Sequence, residues 1–246
     1  EAFGRRVIRD HMPEQHRLFY QQLPFLLFAA VDEQGRPWAS IAEGRPGFVR
    51  APQPQTLQLN AELPADDPAA AALRPGSAIG LLGIELHSRR RNRINGHVLT
   101  RAAGLLEIGV EHAFGNCPQY IQHRDVQINA VDPQIERPAA QRRSGLDDAA
   151  RTLIAQADTF FVASYIERAD GSRSVDMSHR GGQAGFVRVE GDCLTIPDFA
   201  GNLHFNTLGN LLLNPRAGLL FIDFASGDLL QVSGRTELIL DGPQVK

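Results

Sequence analysis

A polar segment and a short helix in the second half of the chain carry the residues best suited to bind an anion. The segment Ser174–Gly182 contains Arg180, which two glycines follow. Farther along, Asn206 and Thr207 stand at the start of a predicted short helix that Pro215 ends. Helix N-termini attract anions through backbone N–H groups and polar side chains, and an arginine fork adds a charge-assisted contact. These residues predict a phosphate site built without a P-loop or a Gly-rich dinucleotide-binding turn.

Each of these residues also has a purely structural interpretation. Asn and Thr cap helices routinely, so Asn206 and Thr207 could do no more than that. Arg180 could be a solvated surface residue. His179, its neighbour, could polarise a carbonyl of a ligand or be an ordinary structural histidine. The residues alone leave these alternatives open.

Composition restricts the class of protein. The chain has 246 residues, 43% of them hydrophobic, and a net charge of −3. This balance is ordinary for a globular protein and gives no general attraction to nucleic acid. No apolar run reaches the length of a membrane-spanning helix, and no signal-peptide pattern is present. We therefore expect a cytoplasmic protein that binds neither nucleic acid nor membranes.

Lysine and cysteine usage excludes further kinds of site. The only lysine is Lys246, so no interior lysine can form a Schiff base, and any interior phosphate contact must come from arginine, polar side chains or backbone N–H groups. Cys117 and Cys193 have no metal-ligand spacing, and the histidines are scattered, so we predict no metal. For Cys117 we favour a buried structural thiol on an apolar helical face over a redox role.

The elements that must position these residues are mostly strands. Apolar runs between turn signals predict strands at 25–31, 37–41, 47 onward, 56–59, 79–86, 158–165, 217–224 and a final pair over 229–240. The strand at 79–86 is expected to continue to 96, with 97–106 as the returning strand of a hairpin. Helices are predicted at two places within 1–23 and at 66–73, 111–123, 147–157 and 206–214. Residues 131–146 are rich in Pro, Gln and Arg and are interpreted as a linker.

The second half of the chain repeats the pattern of the first. Gly47–Val49 corresponds to Gly185–Val187, and Gly80–Leu82 corresponds to Gly218–Leu220 at the same shift. An ordered set of matches without slippage indicates an internal duplication. We predict two β-rich units, residues 1–138 and 139–246, each of about six strands and packed as an internal pseudo-dimer.

Several motifs together resemble one known family. They are Leu23-Pro24-Phe25, Arg36-Pro37-Trp38-Ala39-Ser40, Arg90–Gly96, Asn116–Gln122, Ser178–Gly182, Asn206–Asn210 and Asn214-Pro215-Arg216. The chain resembles the pyridoxamine 5′-phosphate oxidase-like, FMN-binding split-barrel proteins, and more narrowly the bacterial members in which two split barrels are fused. The resemblance covers most of the chain. It implies a mainly β fold of two tandem split β-barrels with flanking helices.

The resemblance also implies that FMN lies between the two barrels and is seated mainly by the second half. The family segment that lines the flavin and its phosphate corresponds to Val175–Arg180. The implied cofactor-binding residues are Asp176, Met177, Ser178, His179, Arg180, Asp198, Asn206, Thr207 and Gln231, with Arg91 and Arg93 from the first half. The oxidases carry an Arg-Lys pair where this chain has Asn206 and Thr207, so hydrogen-bonding capacity remains and the charge is gone. Their pyridoxal-phosphate contacts have no counterpart, and we do not predict pyridoxamine oxidation.

The arginine run at 89–93 has three interpretations. Strand alternation places Arg89, Arg91 and Arg93 on one face. This face could be a solvated basic strand, a nucleic-acid contact, or a contact with the phosphate or ring of a flavin held by the other half. The net charge argues against nucleic acid, and we favour the flavin contact.

By resemblance, the function is that of an FMN-binding flavoprotein, most simply an oxidoreductase with an unknown substrate and electron donor. A related flavin such as deazaflavin would use much the same phosphate site. Two alternatives stay open: a non-catalytic flavin carrier or sensor, and a cofactor-free interaction module. The family often dimerises, which leaves a homodimer open as well. A shared fold by itself does not decide among these functions.

Overall fold

The computed structural model describes residues 8–127, 138–201 and 205–242. Within these ranges strands dominate and only short helices flank them, which confirms the predicted mainly β class. The helices are α1 (Glu14–Gln21), α2 (Pro68–Ala72), α3 (Asp148–Gln156) and α4 (Asn206–Leu213).

The first half forms one antiparallel sheet. Its strands are β1 (Phe25–Val31), β2 (Pro37–Glu43), β3 (Val49–Gln53), β4 (Thr56–Leu59), β5 (Ala78–Glu85), β6 (Arg90–Ala102) and β7 (Leu105–Asn116). The order across this seven-stranded sheet is β2-β1-β5-β6-β7-β4-β3. Strand β7 therefore pairs with the long strand β6 on one side and with β4 of the short β3–β4 hairpin on the other. The side chains that this sheet buries, among them Phe28, Leu57, Ile94 and Ile108, form one apolar cluster.

The second half forms two smaller sheets. Its strands are β8 (Thr159–Glu167), β9 (Arg173–Gly181), β10 (Arg188–Glu190), β11 (Cys193–Thr195), β12 (Arg216–Ile222) and β13 (Leu229–Arg235). Four of them are ordered β13-β12-β8-β9, and β10 pairs with β11. At the shift that relates Gly47 to Gly185, β2, β3, β4, α2, β5 and β6 coincide with β9, β10, β11, α4, β12 and β13. Strand β7 has no counterpart among the described residues.

The two halves share an apolar core. Phe25, Leu27 and Leu82 of the first half pack with Phe161 and Met177 of the second. Two equivalent glycines allow the close approach. A Cβ built on Gly80 would lie 2.8 Å from the Val175 carbonyl oxygen, and one on Gly218 would lie 2.3 Å from the Pro37 carbonyl oxygen. The duplication is thus visible both in the elements and in the contacts between them. The exact boundary at 138/139 stays a prediction.

Three expectations about elements were wrong. The helix over 111–123 does not form: its first residues belong to β7, which pairs with β6 and β4, and residues 117–127 form neither helix nor strand. The continuous strand expected over 79–96 is two strands: β5 ends at Glu85, residues 86–89 form a turn, and β6 returns antiparallel from Arg90 to Ala102. A second turn follows at 103–104. Arg89 lies in the first turn, so it does not share the strand face of Arg91 and Arg93. In the final strand pair, the described residues after Arg235 form no strand.

The N-terminal and linker predictions fall partly on residues outside the described ranges. Of the two helices expected within 1–23, the described part contains α1, and residues 1–7 lie outside it. Of the predicted linker, residues 138–146 form neither helix nor strand, and 131–137 lie outside the described residues.

Candidate functional site

Two arginines of β6 reach across to strand β9 of the other half. Arg91 and Arg93 are two residues apart, so they leave the strand on the same face. Arg93 Nη1 donates to both carboxylate oxygens of Asp176, at 3.2 and 3.4 Å. Arg91 Nη1 lies 2.8 Å from His179 Nδ1. Only 8% of Arg91 and 7% of Arg93 is exposed, so both guanidinium groups are held in the interface between the halves.

A third guanidinium comes from the end of β9. Arg180 Nη1 lies 2.8 Å from Asp198 Oδ1, and Asp198 belongs to the loop between β11 and α4. Burial lowers the pKa of Arg180, and Asp198 opposes that shift. Arg180, Arg91 and Arg93 line one cavity. The structure therefore brings together the three arginines that the sequence analysis selected.

A chain of hydroxyl groups links α4 to the buried carboxylate. Thr207 Oγ1 donates to Ser178 Oγ at 2.8 Å, and Ser178 Oγ donates to Asp176 Oδ2 at 3.0 Å. All three side chains are buried. Asp176 thus accepts from both Ser178 and Arg93, which satisfies a carboxylate that burial alone would strongly disfavour.

Arg91 is the unbalanced charge of this cluster. Arg93 faces Asp176 and Arg180 faces Asp198, whereas no described carboxylate pairs with Arg91. None of its other partners is a carboxylate: they are the Cys117 carbonyl at 3.0 Å, the Gln119 carbonyl at 3.5 Å and Cys117 Sγ at 3.9 Å. Burial, together with the charge of Arg93, lowers the pKa of Arg91 to about 10. A buried guanidinium without a counter-charge is the setting in which a bound anion is most stabilising.

His179 is held as a neutral hydrogen-bond donor. A guanidinium can only donate, so Nδ1 of His179 must accept from Arg91 and the ring proton must reside on Nε2. Burial, followed by the charge of Arg91, lowers the pKa of His179 well below its ordinary value of 6.5. Nε2 is buried and has no hydrogen-bond partner among the described residues. This leaves one unused donor beside the arginines.

The depressed pKa of His179 predicts a pH-dependent stability. Below pH 6.5 the unfolded chain takes up a proton that folded His179 refuses, so the free energy of unfolding should fall as the pH falls, by up to about 1.4 kcal/mol per pH unit. In urea titrations at pH 7.5 and 5.5, wild type should lose about 1.4 kcal/mol more than His179→Gln, whose amide oxygen can still accept from Arg91. Burial also lowers the pKa of His16, so the difference between the two proteins is the relevant quantity. Equal losses would show that folded His179 takes up a proton as readily as the unfolded chain does.

The helix that approaches the cluster has no capping side chain. Helix α4 begins after Phe205, which makes no side-chain cap. The equivalent helix α2 begins after Asp67, whose carboxylate accepts from the Ala70 N–H at 2.8 Å. At the shift that relates the two halves, Phe205 occupies the position of Asp67. The chain therefore supplies its own anion at the start of α2 and none at the start of α4.

Gln231 lies apart from this group, in the pseudo-equivalent place. Its Nε2 donates to the Ala39 carbonyl at 2.9 Å and to Asp67 Oδ2 at 3.1 Å, and the Ser40 hydroxyl donates to the same oxygen at 2.5 Å. Gln231 is the counterpart of Arg93. Its side chain contacts β2 and the residue before α2 in the first half, whereas Arg93 contacts β9 in the second half. The structure thus does not bring Gln231 together with the other candidates.

Other candidates and several unpredicted residues surround the arginines. Met177 points to the opposite face of β9, into the core shared by the two halves, and Asn206 is the half-buried first residue of α4. The cavity holds about 70 Å³ and is lined by Arg91, Arg93, Asn116, Cys117, Gln119, Tyr120, His179, Arg180, Gly181, Phe186, Pro197, Phe199, Gly201 and Thr207. The Asn116–Gln122 motif contributes four of these residues, and reading it as a helix concealed their role. Cys117 is half-buried on this wall rather than on an apolar helical face, with Sγ 3.9 Å from Arg91 Nη2.

The described ranges contain neither a metal-ligand cluster nor a membrane-spanning helix. No group of three or more His, Cys, Asp or Glu residues there is arranged to hold a metal ion. None of the described helices is both long enough and apolar enough to cross a membrane.

Comparison with known proteins gives limited similarity. No protein-family model matches the chain, and no curated protein matches it in sequence. Among solved structures it is similar to HupZ of Group A Streptococcus, with 14% identity over 42% of this chain and 94% of that one and a TM-score of 0.33. A variant of HupZ with a single histidine-to-alanine substitution gives 14% identity, 42% and 98% coverage and a TM-score of 0.34. These values are too low to carry a functional argument, so function is argued from the site itself.

Proposed function

We propose that the chain binds FMN between its two halves, with the phosphate at Arg91, Arg180 and the start of α4. The observation that carries the proposal is Arg91, a buried guanidinium with no carboxylate partner among the described residues. A phosphate would supply the missing counter-charge and accept charge-assisted hydrogen bonds. The resemblance to FMN-binding split barrels supports assigning that phosphate to a flavin.

The first half offers an internal test of fit. In the pseudo-equivalent place, the Asp67 carboxylate stands at the start of α2 and accepts from a backbone N–H and two side chains. An anion is thus the group that this architecture accommodates at that point. Phe205 leaves the corresponding place at α4 without one, which supports a ligand phosphate there.

Unused donors point the same way. The Nε2 atom of His179 and the Nε atom of Arg93 are both buried, and neither has a hydrogen-bond partner in the part of the chain that the structure describes. Leaving a buried donor unpaired costs about 1–3 kcal/mol, and a ligand with acceptor oxygens would remove that cost. The replacement of the family's Arg-Lys pair by Asn206 and Thr207 is offset in part by these donors, although Thr207 already donates to Ser178.

The chemistry follows from the cofactor, which supplies hydride and electron transfer when bound. The residues of this chain would bind its phosphate, keep a neutral donor at His179 and exclude water from the interface. We infer an oxidoreductase in the cytoplasm as the simplest role, with a small-molecule substrate. A non-catalytic flavin carrier would use the same site and differ only in lacking turnover with an electron donor such as a reduced nicotinamide.

The direct test is titration of the purified protein with FMN and with riboflavin, followed by flavin absorbance after removal of free ligand. We expect FMN to be retained and riboflavin to be lost, because only FMN carries the phosphate. Equal retention of both would contradict the phosphate site. Retention of neither would favour the cofactor-free interaction module.

Arg180 gives a prediction within this site. Arg180→Ala should weaken FMN binding by about 1.5 kcal/mol, roughly tenfold, which is the lower range for a hydrogen bond to a charged group. The lower value is expected because Arg180 already pairs with Asp198, so part of its charge is balanced. Riboflavin affinity serves as the control and should not change. An unchanged FMN affinity would show that Arg180 lies outside the phosphate site.

A further inference from the structure

Residues 197–201, in the loop that follows β11, line the arginine cavity. The Phe199 ring stacks on Tyr120 of the first half, with ring centroids 5.3 Å apart and planes 29° apart. The Tyr120 hydroxyl donates to the Ala200 carbonyl at 2.7 Å. Phe199 also lies 6.2 Å from Phe186, centroid to centroid. Residues 197–201, called the cover loop below, therefore come from one half and are fastened to the other.

The contact between the cover loop and the first half buries little surface. Tyr120 and Phe199 remain 40% and 39% exposed, so their stacked rings bury little apolar surface. Tyr120 also adopts a φ of 64°, in the left-handed region that non-glycine residues rarely occupy. Strain of this kind persists only where surrounding contacts enforce it.

Asp198 of the cover loop places an internal carboxylate on Arg180. The pair is close, at 2.8 Å, and the Asp198 side chain is 43% exposed while that of Arg180 is 29% exposed. The carboxylate can therefore exchange its contact for water without crossing the protein interior. A phosphate arriving at Arg180 would meet this carboxylate, and two anions on one guanidinium repel each other.

The size of the cavity requires such an exchange. Its volume of about 70 Å³ is well below the roughly 300 Å³ at which ligand pockets of proteins begin. The ring system of a flavin is too large for this volume beneath the cover loop. The loop is also the wall that carries Asp198, Phe199 and Gly201, so a single displacement would enlarge the cavity and free Arg180.

We propose that the ligand displaces the cover loop when it binds, and that Asp198 competes with the ligand phosphate for Arg180. This inference rests on the proposed flavin site and specifies its selectivity. A phosphate monoester carries close to two negative charges near neutral pH and can displace one carboxylate from Arg180. A ligand without a phosphate cannot, so Asp198 sets the preference for phosphorylated ligands over their dephosphorylated forms.

The first test removes the competitor without changing its shape. Asp198→Asn should tighten FMN binding about tenfold, the effect of one charge-assisted contact made available to the ligand. Riboflavin binding should change little. Glu190→Gln is the matched control, because Glu190 forms an exposed ion pair with Arg188 on β10 and its loss alters the net charge equally. If wild type binds FMN and Asp198→Asn binds it equally or more weakly, the competitor role is wrong while the flavin site stands.

The second test reads the cover loop without FMN. Cys117 lines the cavity behind the loop, so its labelling by a thiol reagent reports opening once the exposed Cys193 is replaced by serine. Asp198→Asn and Tyr120→Phe should each raise the labelling rate several-fold, because each removes one attachment of the loop. Unchanged rates in both variants would overturn the cover. If labelling is faster in these variants but the protein binds neither FMN nor inorganic phosphate, the cover loop does open and the proposed flavin site is wrong.

Discussion

Replacing Arg93 by alanine should lower the free energy of unfolding by about 3–5 kcal/mol, the range observed when one partner of a buried ion pair is removed. The pair with Asp176 is almost wholly enclosed, with side-chain exposures of 9% and 2%. Without Arg93, the carboxylate would retain only the Ser178 hydroxyl as a described side-chain donor, and its charge would be left in the interface. Urea or thermal unfolding monitored by circular dichroism measures the loss.

A double variant separates the pair from its surroundings. Arg93→Met combined with Asp176→Leu should be closer to wild type than either single change, because apolar groups of similar volume often replace buried ion pairs without loss. If Arg93→Ala alone costs less than about 1 kcal/mol, which is the size of a surface ion pair, then the Arg93–Asp176 pair does not hold the two halves together.

The fold could be predicted in outline because its signals are local. Strands such as Phe25–Val31 and Thr56–Leu59 are bounded by turn residues and were predicted with their observed limits. The duplication added a second constraint, since each half supports the interpretation of the other. What the sequence could not show was the pairing of β7 with β4, which lies about fifty residues earlier in the chain.

The failed helix over 111–123 illustrates that limit. Phe114, Cys117 and Tyr120 recur at a spacing of three, which is compatible with a helix. Tertiary pairing overrides the pattern: Phe114 lies opposite Arg93 in the ladder, and the strand then ends near Pro118, which has no N–H to donate. Local periodicity cannot reveal that two neighbouring strands are available on either side.

The sequence predicted which residues form the site better than it predicted which of them contact each other. Arg91, Arg93 and Arg180 were selected from alternation and resemblance, and the structure places them around one cavity. Which carboxylate balances which arginine could not be read from the sequence, because Asp176 and Asp198 are far from their partners in the chain. Gln231 shows the same limit, since its correspondence to Arg93 was correct and yet places it on the other side of the pseudo-dimer.

Arg91 carries the second large effect, and its direction differs from that of Arg93. Arg91→Met should weaken FMN binding by about 3 kcal/mol, more than a hundredfold, because the ligand phosphate would lose its only uncompensated buried charge. The fold should lose little stability. Removing a buried guanidinium that lacks a counter-charge relieves desolvation, which offsets the lost hydrogen bonds to His179 Nδ1 and to the carbonyls of Cys117 and Gln119. Titration with FMN and urea unfolding of the same preparation measure both quantities.

Comparing the Arg91→Met and Arg93→Ala variants tests the proposal more stringently than either variant alone. They stand two residues apart on one face of one strand, so general damage to β6 should affect both variants alike. Arg89→Asn is the matched control, because it removes an exposed positive charge of the same run at a φ of 54°, which asparagine tolerates. It should alter neither FMN affinity nor stability. A loss of stability in Arg91→Met as large as that in Arg93→Ala would mean that Arg91 holds the two halves together, and the argument for a phosphate at this position would then fail.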